Sequence, residues 1–326
     1  MYRNHLAVKE NLVSDIASLV ELITLRDFLR FAVTQFRSAG LAYGHGTTSA
    51  LDDAAFLILE TLHLPIDTLE PWLDARLTRP ERAVLAAVIE KRVVTRKPSA
   101  YLTQSAYIGP YRFHVDERVI VPRSFIGELL CGDDQVPLGL ASPPQSILDL
   151  CTGSGCLAIV AAHKYPAASV TAGDVSSDAL AVAAQNIKQH RLSDRVHLVE
   201  TDLFAGLGDR QFDLIVCNPP YVTAAAVAAF PSEHRAEPVL AHIGGADGMD
   251  LVRRILKSAG DHLASGGTLL MEIGQGRDIL ERDYPSLPFL WLETEHSDGE
   301  VFSLEAAALQ TDVKGAVKRS KRPGRR

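Results

Sequence analysis

Apolar residues in the first third of the chain recur with the period of an α-helix. A stripe over residues 12–36 places them three and four positions apart, and Ser49 or Thr48 can cap a second apolar stripe. The run Thr78-Arg79-Pro80-Glu81 has the form of a capping box and predicts the start of a third helix. Residues 1–104 are therefore expected to form a small helical domain.

Between residues 105 and 122 the apolar period changes from helical spacing to alternation. Tyr111, Phe113 and Val115 occupy every second position, and Gly109-Pro110 just before them supplies a turn. This pattern predicts a short β-hairpin that links the helical domain to the rest of the chain.

Residues 123–311 alternate between strand-like and helix-like patterns. A helix is expected near Gly127, and further helices are expected at residues 155–164, 178–190 and 249–264. Strands are expected at residues 146–150, 169–175, 196–200, 213–218, 267–274, 289–295 and 300–304. The alternation predicts an α/β domain built on an open, mostly parallel sheet, and the adjacent last two strands predict one antiparallel member.

The charge of the chain is unevenly distributed. Residues 313–326 hold seven basic side chains and no acidic one, namely Lys314, Lys318, Arg319, Lys321, Arg322, Arg325 and Arg326. Removing these charges from the net charge of −7 leaves about −14 on residues 1–312. We expect residues 312–326 to be a disordered basic tail, and a weak contact with RNA phosphates is the sharper hypothesis.

Composition narrows the class of protein. The hydrophobic fraction of 47% and the charged fraction of 22% are ordinary for a globular protein with a buried core. No apolar signal follows Met1, and no run approaches the roughly 18 apolar residues of a membrane span. The four cysteines, Cys131, Cys151, Cys156 and Cys217, show no paired CxxC spacing. We therefore expect reduced thiols, no bound metal and a cytoplasmic location.

The most informative polar motif is Asn218-Pro219-Pro220-Tyr221, which ends a buried-strand pattern. Polar residues at the carboxyl end of such a strand face the ligand crevice of an α/β sheet. Two consecutive prolines fix two φ angles and remove two backbone donors, so the loop is stiff. Its carbonyl groups and the Asn218 side chain can then accept hydrogen bonds from a planar N–H₂ group. A rigid turn without chemistry is the plainer interpretation.

A second motif, Asp149-Leu150-Cys151-Thr152-Gly153-Ser154-Gly155, follows the first strand of the sheet. Its glycines allow a sharp turn and a close approach to a ligand, and residues 153–158 match the dinucleotide fingerprint G-x-G-x-x-A. Asp174, at the end of the next strand, can accept bonds from ribose hydroxyls. The fingerprint fits NAD and S-adenosylmethionine alike, and a turn without a ligand remains the alternative.

Asp202-Leu203-Phe204 follows the third strand and suits the adenine end of such a ligand. A carboxylate can accept a bond from the exocyclic amine, while Leu203 and Phe204 offer apolar cover. A simple helix cap at Asp202 is the competing interpretation.

Together these runs resemble the class I S-adenosylmethionine-dependent methyltransferases, and specifically the glutamine N(5)-methyltransferases of the HemK/PrmC-like family. Residues 113–124 and Glu128 resemble the PrmB branch, which methylates a glutamine of large-subunit ribosomal protein L-three. The resemblance extends from about residue 100 to 306, and more loosely over the helical N-terminus. It departs at Phe125, where proline is usual, at His242, where an apolar residue is usual, and in the basic tail.

The resemblance implies a Rossmann-like fold, S-adenosyl-L-methionine as methyl donor and S-adenosyl-L-homocysteine as product. It implies that the helical domain recognises the substrate, which is ribosomal protein L-three or an early ribosome-assembly intermediate. It also assigns the site residues. Catalytic roles fall to Asn218, Pro219, Pro220 and Tyr221; cofactor contacts to Asp149, Cys151, Thr152, Gly153, Ser154, Gly155, Asp174, Asp202, Leu203 and Asn218; and substrate contacts to Phe113, Arg123 and Glu128. A bond between Arg123 and Glu128 across one helical turn is the alternative for that pair.

The expected chemistry starts from a poor nucleophile, because an amide nitrogen shares its lone pair with the carbonyl. The Asn218 side-chain oxygen and the Pro219 carbonyl would hold both N–H groups of the target amide, with Tyr221 packed on the amide plane. Such alignment can lower a barrier by about 7–11 kcal/mol. No catalytic histidine is needed, so His114 and His242 are expected to be surface or packing residues.

Other functions stay open at this level. Release-factor glutamine methylation is a sister activity, although Ser124-Phe125 departs from its usual pattern. A DNA adenine methyltransferase would use the same Asn-Pro-Pro-Tyr motif, but the acidic body and the lack of a recognition domain disfavour it. An NAD oxidoreductase would explain only the glycine-rich turn, and a non-enzymatic RNA-binding factor would rest on the tail alone.

Overall fold

The computed structural model describes residues 21–132, 138, 140 and 142–310. The apolar stripe before residue 21 and the basic tail lie outside these residues, so the predictions for them stay predictions. The chain divides into two compact units. One contains the residues up to Ala106 together with Phe230–Glu237, and the other contains Tyr107–Ala229 and the residues from Pro238 onward. The domain limits expected from the sequence also stay a prediction.

The first unit is helical, and its helices begin where the sequence places caps. Thr24 and Thr78 each close a capping box, and the Ser49 hydroxyl accepts the backbone N–H of Asp52. The helices are α1 (Leu25–Ser38), α2 (Ala50–Thr61), α3 (Arg79–Thr95) and α4 (Ser99–Thr103). The predicted helical character of this part of the chain is therefore confirmed over its described residues.

The core of the helical unit is mostly apolar, and one of its buried ion pairs joins Arg92 to Asp53. Phe28, Phe36 and Leu85 are fully buried, as the helical stripes require. Arg92 and Asp53 are also buried, and Arg92 Nε donates to Asp53 Oδ2 at 2.9 Å. Pairing of this kind is what allows two charges to remain inside a core.

A segment distant in sequence, Phe230–Glu237, packs within the helical unit. The Glu233 side chain is fully buried and forms an ion pair with Arg96 at 2.6 Å, and it accepts the backbone N–H of Ala42 at 3.1 Å. The local sequence pattern could not predict that this segment packs in the helical unit, because the packing depends on contacts between residues nearly 200 positions apart.

The second unit starts with the expected hairpin and continues with alternating strands and helices. The strands are β1 (Ala106–Ile108), β2 (Tyr111–Phe113), β3 (Ser146–Leu150), β4 (Ser169–Asp174), β5 (Val196–Glu200), β6 (Phe212–Cys217), β7 (Leu263–Glu272), β8 (Leu290–Glu293) and β9 (Asp298–Glu305). The helices are α5 (Phe125–Cys131), α6 (Cys156–Lys164), α7 (Ser177–Gln189), α8 (Ala224–Ala228), α9 (Asp250–His262) and α10 (Arg277–Asp283).

Seven strands of the described chain form one sheet in the order β5-β4-β3-β6-β7-β9-β8. The pairs from β5 to β7 are parallel, whereas β9 is antiparallel to both β7 and β8. This confirms the predicted mostly parallel sheet with one reversed strand. The strand order changes direction between β3 and β6, which is where open α/β sheets form a ligand crevice.

Both faces of the sheet are covered by helices, as a parallel sheet requires. Alternate residues of β3 show the arrangement, since Ile147 packs in the core shared with α5, α6 and α7, and Leu148 packs in the core shared with α9 and α10. The hairpin joins the first of these cores through Ile108 and Phe113. No helix in the described ranges is long and apolar enough to cross a membrane.

Candidate active site

A cavity of about 300 Å³ opens at the carboxyl ends of β3, β4 and β6. Its position matches the change in strand order between β3 and β6. Six of the predicted cofactor residues line it, namely Cys151, Gly153, Asp174, Asp202, Leu203 and Asn218. The other four, Asp149, Thr152, Ser154 and Gly155, do not line the cavity and belong to the turn that forms its wall.

The glycine-rich turn, residues 149–155, takes its shape from three residues with positive φ. These are Cys151 at 58°, Gly153 at 54° and Gly155 at 80°. A Cβ at Gly155 would lie 3.1 Å from Ala183 of α7, whereas a Cβ at Gly153 would meet nothing within 4 Å. Gly155 therefore allows close packing of the turn on a helix, and Gly153 leaves space at the cavity.

Asp149 holds the turn from behind. Its Oδ2 accepts the Thr152 hydroxyl at 2.5 Å and the Ala158 backbone N–H at 3.0 Å. Its Oδ1 is buried and has no hydrogen-bond partner among the described residues. Burial raises the pKa of Asp149 to about 7, against an ordinary value of 3.8, because a carboxylate loses solvation in the core.

Asp174 ends β4 at the cavity and is fixed by two backbone donors. Gly153 N donates to Asp174 Oδ2 and Ser176 N donates to Oδ1, both at 2.9 Å. Each carboxylate oxygen can accept more than one hydrogen bond, so Asp174 retains capacity for two ligand hydroxyls.

The segment after β5 differs in detail from the expectation. Asp202 does not cap a helix; it lies in a turn, and its side chain forms an exposed ion pair with Arg254 at 2.8 Å. Leu203 has a φ of 53° and lines the cavity. Phe204 does not line it, because its ring stacks on His262 at 4.6 Å in the core behind. Apolar cover from this segment therefore comes from Leu203.

The acceptor loop, which we define as residues 218–221, leaves β6 at the mouth of the cavity. Asn218 Nδ2 donates to the backbone carbonyl of Arg123 at 3.4 Å. A carbonyl only accepts, so this contact fixes the Asn218 amide with its N–H₂ toward Arg123. The Asn218 Oδ1 remains an acceptor for another group. Pro219 is buried and Pro220 lines the cavity.

Tyr221 ends the acceptor loop and is held by a residue that we did not predict. Its hydroxyl donates to Glu272 Oε1 at 3.1 Å, and its ring packs against Gly274, where an added Cβ would lie 2.7 Å from the ring. Burial, with Glu272 close by, raises the pKa of Tyr221. A carboxylate that directly follows the apolar run 269–271 of β7 was the available signal for Glu272, since buried charges are rare in strands.

A second loop braces the acceptor loop through its backbone. Val222 N donates to His242 O, and Gly244 N donates to Val222 O, both at 2.9 Å. Gly248 has a φ of 86°, and a Cβ there would lie 2.2 Å from the carbonyl oxygen of Tyr221. The glycines at 244 and 248 are therefore needed for close approach of two backbone segments.

The substrate-side residues are placed differently from one another. Phe113 is fully buried and its ring lies 5.2 Å from that of His190, so it is a core residue and not a surface contact. Arg123 precedes α5, and its Nη1 donates to Val121 O at 3.0 Å. Glu128 lies 3.2 Å from His296.

Both histidines considered earlier serve packing. His114 N donates to Asn186 Oδ1 at 2.7 Å, and its ring lies 3.4 Å from Asp116. His242 is buried, and its carbonyl accepts the backbone N–H of Val222, directly after the acceptor loop. The four cysteines are free thiols.

Comparison with known proteins identifies the family. The chain is 52% identical over 295 residues to the ribosomal protein uL3 glutamine methyltransferase of Bradyrhizobium diazoefficiens, covering 89% of this chain and 92% of the relative. It is 55% identical to the protein of that name from Neisseria gonorrhoeae, covering 87% and 95%. The Bordetella pertussis protein is 50% identical, with 89% and 98% covered. The chain belongs to the uL3 glutamine methyltransferase family.

The chain is therefore a methyltransferase, as the sequence predicted, and its fold is that of a class I methyltransferase. The family model described as the methyltransferase small domain matches residues 139–232, which contain both the glycine-rich turn and the acceptor loop. Among solved structures, a methyltransferase from Pyrococcus furiosus covers 60% of this chain and 88% of its own length at 15% identity, with a TM-score of 0.44. A ribosomal protein L11 methylase from Lactobacillus delbrueckii subsp. bulgaricus covers 51% and 70% at 23% identity, with a TM-score of 0.36.

Membership of the uL3 glutamine methyltransferase family also confirms S-adenosyl-L-methionine as the methyl donor. The residues at the cavity suit this cofactor chemically. Asp174 offers acceptors for ribose hydroxyls, and Leu203 offers an apolar surface for a purine.

Proposed function

We propose that this chain methylates the side-chain amide nitrogen of a glutamine in ribosomal protein uL3. The observation that carries the proposal is the identity of 50–55%, over 87–89% of the chain, to proteins that bear this activity in their names. Those names favour the ribosomal substrate over the release factors. The acceptor loop beside the cavity supports a planar N–H₂ group as the target.

The central task of the chain is to orient an amide that is a poor nucleophile. The Asn218 amide group is turned by the Arg123 carbonyl, so its Oδ1 is available to accept one N–H of the target. The Pro219 carbonyl is the natural acceptor for the second N–H. With both N–H groups held, the nitrogen has one orientation toward the cavity.

Two features keep this arrangement rigid. The proline pair restricts the backbone of the acceptor loop before any substrate arrives, so little conformational entropy remains to be lost on binding. Tyr221 is anchored through its hydroxyl to Glu272 and through its ring to Gly274. These two contacts restrict the position of the Tyr221 ring, and so they determine where the ring can pack on the target amide.

When bound, S-adenosyl-L-methionine supplies an electrophilic methyl group whose departure leaves a neutral thioether. Asn218 and Pro219 orient the attacking nitrogen, and the apolar lining of the cavity, including Leu150 and Leu203, excludes water. The amide nitrogen becomes strongly acidic once it is alkylated, so its proton can pass to an acceptor of the loop or to water without a dedicated base.

The finer identity of the partner belongs to the same proposal. The substrate is ribosomal protein uL3, free or in an early assembly intermediate, and the acidic body suits such a basic partner. The basic tail adds a weak, salt-sensitive contact with RNA. A cytoplasmic location follows from a ribosomal substrate.

Mass spectrometry of a reconstituted reaction tests the proposal. The purified chain, S-adenosyl-L-methionine and unmodified uL3 should give one glutamine-containing peptide heavier by a single methyl group. Asn218→Ala should remove this product while calorimetry still detects cofactor binding. The control is Gln211→Ala, since Gln211 is an exposed amide that precedes β6 at its opposite end. Methylation of a release factor with uL3 unchanged would overturn the substrate, and full turnover by Asn218→Ala would overturn the role of the acceptor loop.

A further inference from the structure

One buried carboxylate next to the acceptor loop has no part in the chemistry described so far. Glu272 is the last residue of β7 and is 1% exposed. Its Oε2 accepts the Ser124 hydroxyl at 2.7 Å and the Phe125 backbone N–H at 2.9 Å. Its Oε1 accepts the Tyr221 hydroxyl at 3.1 Å. These three hydrogen bonds offset part of the cost of burying the carboxylate, and they tie three donors to one side chain.

These bonds connect Glu272 to both ends of the acceptor loop. Tyr221 is the last residue of that loop and is bound directly. Asn218 is the first, and it is bound through one intermediate, because its Nδ2 donates to the carbonyl of Arg123 and Arg123 immediately precedes Ser124. Fixing the backbone at Ser124 and Phe125 therefore also fixes the carbonyl that orients the Asn218 amide.

We propose that Glu272 is a positioning residue for methyl transfer, which sets the orientation of the Asn218 acceptor and of Tyr221 without touching the substrate amide. This inference rests on the proposed function of the acceptor loop. It assigns to the end of β7 a task that an apolar residue could not perform, since three donors from two different segments converge on one side chain. An ionised carboxylate is acceptor-only and suits all three.

The electrostatic surroundings make this device sensitive to pH. Burial raises the pKa of Glu272 to about 7, against an ordinary value of 4.5, and the bonds from Ser124 and Tyr221 limit the rise. Tyr221 faces it from the acceptor loop, and the charges of Arg123 and Glu300 act on the pKa of Tyr221 in opposite directions, Arg123 lowering it and Glu300 raising it. Protonation would turn one acceptor of Glu272 into a donor and so disturb one of the three bonds.

The kinetic test compares Glu272→Gln and Glu272→Ala with the wild type. A misplacement of about 1 Å can cost about 100-fold in rate. We expect Glu272→Ala to lower kcat by about this factor while the Kd for S-adenosyl-L-methionine, from calorimetry, changes less than about twofold. Glu272→Gln keeps the shape and one acceptor oxygen but, like the protonated carboxyl, carries a donor in place of the other, so its kcat should lie between those of the wild type and Glu272→Ala. The wild type should lose activity as the pH falls through about 7, and Glu272→Gln should lack this limb.

A spectroscopic readout separates positioning from turnover and covers the case in which Glu272→Ala does not fold. The chain has four asparagines, so selective ¹⁵N labelling gives a sparse set of side-chain amide signals. The Asn218 signal, assigned with Asn218→Ala, should shift with a midpoint near pH 7 in the wild type and stay constant in Glu272→Gln. Ser124→Ala and Tyr221→Phe, which each remove one donor, should move the same signal.

The outcomes are distinguishable. Wild-type kcat in both Glu272 variants, or equal losses of kcat and cofactor affinity, would overturn the positioning role. A pH-independent Asn218 signal in the wild type would do so too. If the wild type methylates no glutamine although the Asn218 signal titrates as expected, the proposed function fails and the coupling of Glu272 to Asn218 stands.

Discussion

Replacing Asp149 by asparagine tests how the free energy of unfolding of the second unit, which contains the candidate active site, depends on pH. Asp149 is 1% exposed, and burial raises its pKa to about 7. Asparagine has nearly the same shape, and its Oδ1 can accept the same two bonds from Thr152 and Ala158. It cannot ionise, so the variant removes one titration and leaves the packing of the glycine-rich turn in place.

The direction of this pH dependence follows from the linkage between proton binding and folding. The folded-state pKa lies above the unfolded value, so this group's stabilisation is fully present below about pH 3.8 and is lost as the pH rises to about 7. The loss is about 1.4 kcal/mol per pH unit, or about 4 kcal/mol over the whole window. Between pH 5 and pH 8 the wild type should lose about 3 kcal/mol through Asp149 alone. The titration of Glu272 contributes equally to the stability of both proteins, so this contribution cancels when they are compared.

Urea unfolding at several pH values between 5 and 8 measures this difference. Trp291 lies in β8 and Trp72 in the helical unit, so a Trp72→Phe background makes the fluorescence report on the sheet. We expect Asp149→Asn to gain stability relative to the wild type as the pH rises, by about 3 kcal/mol in total. Parallel curves for the two proteins would show that Asp149 is already ionised in the folded state at pH 5, and would refute the reasoning.

The control variant is Asp213→Asn in the same sheet. Burial acts on Asp213 as well, but the bonds from Gln145 and Ser146 outweigh it, so its pKa is lowered on balance. Its contribution is present above the unfolded pKa and is lost as the pH falls through the folded one. Asp213→Asn should therefore lose stability at every pH between 5 and 8, with little dependence on pH.

Three further changes have defined outcomes. Gly274→Ala should lower kcat while leaving cofactor affinity intact, because the added Cβ would displace the tyrosine ring of the acceptor loop. Gly266→Ala controls for backbone strain in the same assay, because Gly266 has a φ of 78° and open space around it. Arg92→Met should destabilise the helical unit by about 3–5 kcal/mol in denaturant unfolding, since Asp53 stays buried without its partner, and a cost below about 1 kcal/mol would contradict this. Removing residues 313–326 should leave turnover on isolated uL3 unchanged, and a large loss at high salt would show that the tail does more than bind phosphates.

Much of the fold was predictable because its signals are local. The strands Ser146–Leu150 and Val196–Glu200 have the limits expected from their apolar patterns, and Thr78 begins a helix as its capping box predicts. The short helix Arg277–Asp283 was missed, because seven residues hold too few turns for a clear period. Residues 115–121 alternate in sequence but form no strand, since alternation alone does not supply a partner strand.

Within the site, the sequence identified the residues of the turn and of the acceptor loop but not what holds them. Phe113 is fully buried, and only packing decides this, because an aromatic residue in a hairpin can face either solvent or core. Its contact with substrate stays a prediction. The ion pair of Asp202 with Arg254 joins residues 52 positions apart, and the stacking of Phe204 on His262 removes a side chain from the cavity.

The sequence by itself predicted the class of reaction, through local motifs and the family resemblance that they carry. Three motifs carry this prediction: a Pro-Pro loop after a buried strand, a glycine-rich turn, and Asp174 at a strand end. Each is a short run of residues, so it can be recognised without knowledge of the tertiary structure. Only the tertiary structure decided that Glu272 anchors Tyr221, that the Arg123 carbonyl orients Asn218, and that Phe230–Glu237 packs in the helical unit. These contacts join residues about 50 to 190 positions apart. Such pairings depend on strand order and on burial, which no local pattern encodes.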